Sequence, residues 1–113
     1  MVSIDALRAY GARVDEGMAR CLNNEAFYLR MVGMALSDAN FDALRAAMDA
    51  GDAQKAFEAA HALKGSTGNV SLTPIYEPVC RLTELLRGQS GPVEGADALV
   101  GEIMNQLEKA RAL

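Results

Sequence analysis

Apolar residues recur every three or four positions along almost the whole chain, and no segment shows the sustained polar–apolar alternation with β-branched enrichment of a half-buried strand. The pattern predicts an all-α fold. Asn24 opens a helix carrying Phe27, Met31, Met34 and Ala35, and a second runs through Phe41, Leu44 and Met48 to a stop near Gly51. Asp52 then caps the longest periodic stretch, in which Ala53, Ala56, Phe57, Ala60, Leu63, Thr67 and Val70 share one face over roughly five turns. Ser71-Leu72-Thr73-Pro74 breaks the pattern, with Thr73 as the next cap and Pro74 in the first turn, where a missing N–H costs nothing. The following helix carries Ile75, Val79, Leu82 and Leu86, and Pro78 within it is expected to remove one backbone bond and bend the segment. After a loop from Gly88 to Gly95, Leu99, Val100, Ile103, Met104 and Leu107 mark a C-terminal helix; shorter stretches at Ile4–Tyr10 and Asp15–Leu22 precede the rest. Short connections predict an antiparallel, up-and-down four-helix bundle over residues 23–113, with residues 1–22 as an N-terminal helical extension of the same single domain.

Composition narrows the function classes. At 113 residues with 50% hydrophobic content, the chain is long enough for one continuous core. The net charge is −4, and the 11 Lys and Arg residues are scattered singly, so no basic stripe exists to neutralise a nucleic-acid backbone. No apolar run is long enough to cross a bilayer and the N-terminus lacks a secretory pattern, so a cytoplasmic protein is expected, most simply a monomer. The start at Met1 and the helical end favour a free-standing chain. Cys21 and Cys80 lie in apolar surroundings with no metal-binding spacing and read as buried free thiols, and the six methionines read as core filler.

His61, the single histidine, falls well outside the apolar arc of its helix and is expected to face solvent. Gln54, Glu58, Gly65 and Gly68 lie on the same face. Each glycine costs a helix interior about 1 kcal/mol relative to alanine, and two of them follow the histidine by one and two turns. Stripping side chains from the surface beside an imidazole suits the approach of another backbone or a bulky anion. Lys64, three residues on, is placed to bring its ammonium to the outer ring nitrogen. Imidazole, with an ordinary pKa of about 6.5, offers a neutral nucleophilic nitrogen at cellular pH.

The segment Ala60-His61-Ala62-Leu63-Lys64-Gly65-Ser66-Thr67-Gly68-Asn69 closely resembles the signature of histidine-containing phosphotransfer (HPt) domains, which reads AH-x-LKG followed by small residues, a glycine or alanine, and often Asn. A looser likeness extends from about Asp15 to Leu113. The resemblance implies a four-helix bundle in which His61 accepts a phosphoryl group on Nε2, Lys64 helps to hold it, and Gly65 and Gly68 clear room for the partner. It also implies that the phosphoryl group comes from a receiver-domain aspartate or hybrid sensor kinase and passes to another receiver. The receiver would supply the Mg²⁺, leaving no cofactor on this chain. Ser71 departs from the signature, because the family usually has a further glycine there. Thr83 and Arg87, one and two turns after Val79 on the next helix, are expected to border the phosphate site.

Two other readings compete. Glu58-Ala-Ala-His61 has the Glu-x-x-His spacing of di-iron bundles, but such a site needs a second pair and inward-facing ligands, and this chain has one histidine on an outer face. A bundle that docks receivers without carrying phosphate is the alternative within the same fold, and the presence of both His61 and Lys64 speaks against it. Self-phosphorylation is not expected either, for the chain has no Gly-rich phosphate loop, no Walker lysine and no room for an ATP-binding domain.

Overall fold

The computed structural model describes residues 2–113; Met1, the first residue of the predicted extension, lies outside the described residues. These residues form seven helices and no strand: α1 (Ile4–Tyr10), α2 (Val14–Arg20), α3 (Glu25–Leu36), α4 (Asn40–Asp49), α5 (Ala53–Asn69), α6 (Thr73–Leu86) and α7 (Ala96–Arg111). Ser3, Asn24 and Asp52 start α1, α3 and α5 by accepting bonds from the backbone N–H three residues on, at 3.1, 3.0 and 3.0 Å. The all-α expectation and the caps at Asn24 and Asp52 agree with this structure. Helix α6 begins at Thr73, one residue earlier than predicted, and continues through Pro78, whose ring is buried.

Helices α4, α5, α6 and α7 pack each against the next in chain order, and α7 closes the set against α4. The four-helix bundle therefore starts at Asn40 rather than at residue 23. Phe41, Leu44, Leu63, Ile75, Leu82 and Ile103 fill its interior. The turn Ser37-Asp38-Ala39 separates α3 from α4, and α3 packs instead on α2 and α7.

The first three helices form a cap across one end of the bundle, where α5 and α7 finish and α6 begins. The Tyr10 hydroxyl donates to Gln106 O at 3.1 Å and the Tyr28 hydroxyl to Val70 O at 2.9 Å. Arg111 donates through Nε and Nη2 to Leu36 O at 2.9 and 2.7 Å, satisfying a carbonyl at the α3 C-terminus that has no partner within its own helix. End-on stacking of cap and bundle explains the elongated extents of 42 × 23 × 19 Å.

Two expectations of burial are corrected. Cys21 is buried but Cys80 is only partly so, and both are free thiols. On α3 the buried residues are Tyr28, Val32, Ala35 and Leu36, while Met34 is 60% and Phe27 38% exposed, so Met34 is not core filler. The segment Glu-Ala-Phe-Tyr-Leu-Arg-Met-Val-Gly-Met-Ala-Leu is apolar nearly all round, and packing against α2 and α7 selects the face that its periodicity left open.

Candidate functional site

Helix α5 is the central element of the site. It sits between α4 and α6 and buries Ala53, Ala56, Ala59, Ala60, Leu63 and Thr67, mostly small side chains that let both neighbours come close. Thr67 satisfies its buried hydroxyl by donating to Leu63 O at 2.7 Å, one turn back. Held on both sides, α5 presents His61 to solvent on its free face, with Gln54 and Glu58 exposed on the preceding turns. Phe57 lies half-buried at the edge of the core, its ring centroid 5.9 Å from that of His61 and tilted by 41°. Neither imidazole nitrogen takes part in a hydrogen bond among the described residues, so both remain available to a partner. Lys64 is half-buried along the flank toward α6 and makes no ion pair among the described residues.

The two glycines of the motif differ physically. A Cβ at Gly65 would meet nothing within 4 Å, so the surface one turn past the imidazole is open. A Cβ at Gly68 would stand 2.8 Å from Tyr76 Cε1, a distance that real contacts do not reach. The space at Gly68 thus belongs to a tyrosine ring of α6, and this glycine serves helix packing within the protein.

The α6 residues expected beside the site also part ways. Thr83 is fully buried and donates its hydroxyl to Val79 O at 2.7 Å, so it offers nothing to the surface. Arg87 ends α6 and holds its guanidinium carbon 5.1 Å above the Phe57 ring, a cation–π contact one turn before His61. It reaches the imidazole only through that ring. Arg87 also forks onto Glu84 at 3.0 and 3.2 Å. These hydrogen bonds, with the charges of Arg87 and then Lys64, hold the Glu84 carboxyl below its usual range.

One wall of the site was missed by sequence reasoning. A cleft of about 570 Å³ runs from His61, Lys64 and Gly65 to Arg13, Glu16 and Arg20 of the cap, with Tyr76 and Ser71 among the residues that line it. Arg20 Nη1 donates to Ser71 Oγ at 2.7 Å and to Gly68 O at 3.2 Å, while the Arg13 amide donates to Ser71 O at 3.0 Å. Ser71 stands at the departure from the HPt signature, and its φ of 55° explains the glycine usual there, since that left-handed conformation strains any side chain. Serine retains the conformation and adds an acceptor for Arg20. The readable signal was the i, i+3, i+7 spacing of Arg13, Glu16 and Arg20, which puts all three along one stripe from the start of α2 down its length, beside the buried Gly17.

Among the described residues, no three His, Cys, Asp or Glu side chains gather as they would around a metal ion, and no helix is long and apolar enough to cross a membrane. No match was found among curated proteins or among solved structures. The model of the Hpt domain family matches residues 32–113, which takes in the last turns of α3, the whole bundle and the His61 motif, and leaves α1 and α2 outside. With seven helices, a bundle of four and this match over more than two thirds of its length, the chain belongs to the Hpt domain family, the phosphocarrier modules of two-component phosphorelays, which interact with receiver domains and histidine kinases.

Proposed function

We propose that His61 is the phosphoacceptor and that this protein relays phosphoryl groups between receiver domains, or from the receiver of a hybrid sensor kinase to another receiver, as a cytoplasmic monomer. The observation that carries the reading is the free imidazole of His61 on the exposed face of α5, bordered by the open surface at Gly65 and by the Lys64 ammonium. Nε2 attacks the phosphorus of the receiver's aspartyl phosphate in line. The P–N bond forms as the P–O bond to the aspartate breaks, the carboxylate leaves with its electron pair, and the Nδ1 proton stays on the ring. Attack on Nε2-bound phosphorus by a second receiver's carboxylate is the same step reversed.

Phosphoryl transfer of this kind depends on positioning and charge stabilisation more than on covalent chemistry. On this chain Lys64 supplies positive charge near the transferred group, and Mg²⁺ enters with the receiver. Gln54, Glu58 and Gly65 form the surface the receiver rests on. Arg87, stacked on Phe57, lies on the border of that surface.

Incubation with a phosphorylated receiver tests the reading. Acid-labile phosphate should appear on the wild-type chain and be absent from His61→Gln, with Lys64→Ala slowing its arrival by roughly 10- to 100-fold. Labelling that survives His61→Gln rules out His61 as acceptor. A wild-type chain that binds receivers yet takes no label is a docking module and no carrier.

A further inference from the structure

The cleft beside His61 has one wall built by the bundle and one built by the cap. The bundle wall carries Lys64 and Gly65, and the cap wall carries Arg13, Glu16 and Arg20. Among the described residues, no carboxylate lies within ion-pair distance of Arg20. Its guanidinium is held by a serine hydroxyl and a peptide carbonyl, both neutral, so its charge is oriented without being cancelled. Gly68 lies in the last turn of α5 and Ser71 in the turn that follows it, so both anchors hold Arg20 against the end of the helix that carries His61. Arg13 meets Glu16 at 3.7 Å in an exposed pair that cancels little.

The cleft thus holds three cations against Glu16 and Glu77, on a protein whose net charge is −4. A locally cationic concavity on an acidic protein selects a partner with carboxylates at the matching place. A receiver domain has them, because a Mg²⁺ ion beside its phosphorylated aspartate requires carboxylate ligands. A body seated over His61 and filling this cleft touches α2.

We infer that α2 is a second docking surface for the receiver, on which Arg20, anchored by Ser71, engages carboxylates at the rim of the receiver's phosphorylation site. The inference rests on the relay reading for the identity of the partner. It assigns to α2, outside the part of the chain that matches the Hpt family, a share in partner choice. Rim charges act mainly on association rate and salt dependence, so the contact should govern which receivers are captured more than the chemistry that follows.

Calorimetric titration of the full chain with a receiver at two salt concentrations tests this, with circular dichroism confirming that each variant is folded. Arg20→Ala should raise the dissociation constant roughly three- to fivefold at low salt and flatten its salt dependence. Because Arg20→Ala also loosens α2 from Ser71, a second variant separates charge from architecture. Glu16→Gln touches nothing on α5 and should tighten binding about twofold by removing a carboxylate and freeing Arg13. Unchanged affinity in Arg20→Ala, or unchanged or weakened affinity in Glu16→Gln, overturns the inference. Binding that follows both charges on a chain that accepts no label sustains the docking surface and sinks the relay reading. Failure of every receiver of the source organism to bind the wild type sinks both.

Discussion

A glycine in the middle of a helix is a cost that packing or function must offset, and Gly65 separates the two. Nothing lies where its Cβ would be, so the loss of about 1 kcal/mol relative to alanine has no internal compensation. Gly65→Ala should therefore raise stability by about 1 kcal/mol and the melting temperature by roughly 3–5 °C. The same methyl stands one turn from His61, where the receiver must approach, and transfer to His61 should slow by about tenfold. Calorimetry and single-turnover labelling check the pair of effects; a variant that transfers at the wild-type rate shows that the open surface at Gly65 is not used. The sequence alone set Gly65 and Gly68 side by side as equals. Their difference lies in the Tyr76 ring, eight residues beyond Gly68, whose direction no spacing rule supplies. Thr83 was misjudged for a related reason: a hydroxyl on a helix reads as polar surface until its own backbone is seen to satisfy it, as Val79 O does here.

At the scale of elements, sequence periodicity placed α5 and α7 well, since each buries one face between neighbours and the apolar arc records it. Helix α3 was placed in the chain but not turned correctly, because a helix with apolar residues on most sides carries no record of which side is covered. The hardest element to read was α2. Seven residues with Gly17 in the middle make a weak helix by propensity, and its role comes from what it crosses. A Cβ at Gly17 would come within 2.5 Å of Tyr28 Cε1 and 2.9 Å of Val70 O, so α2 lies against both because it has no side chain there. The Tyr28 ring is fully buried and tied to Val70 by its hydroxyl, and neither group can retreat cheaply. Gly17→Ala gains helix propensity but overpacks this crossing, for a net loss of about 1–2 kcal/mol on denaturant titration. A variant as stable as the wild type shows that α2 is free to shift. Either way the measurement bears on the cleft, since the crossing at Gly17 and the anchor at Ser71 together fix the cap wall opposite His61.

For the whole molecule, the bundle was legible because its four helices bury each other in chain order, whereas the cap was legible only as an extension. Its attachment depends on contacts between distant residues, and two of the ties are tyrosine hydroxyls donating to backbone carbonyls. Tyr10 joins α1 to α7 and Tyr28 joins the start of α3 to the end of α5. Burial pushes the Tyr10 phenol up to about 12 and raises that of Tyr28 as well, while the neighbouring Cys80 thiol raises Tyr76. In the unfolded chain the same phenols lose their protons near their ordinary value of about 10. Below that pH both states hold these protons and the phenols add no pH dependence. Between pH 10 and the folded value of about 12 for Tyr10, the unfolded state binds fewer protons than the folded one, so stability falls as pH rises through that window. What is lost in that window is the advantage of the protonated phenol that donates to Gln106 O and ties the cap to α7. Comparison with Tyr10→Phe isolates the phenol: the variant forfeits one hydrogen bond at neutral pH but should lose stability less steeply above pH 10. Denaturant titrations at a series of pH values read both slopes, and equal slopes would mean that the cap is not held to α7 by a protonated Tyr10.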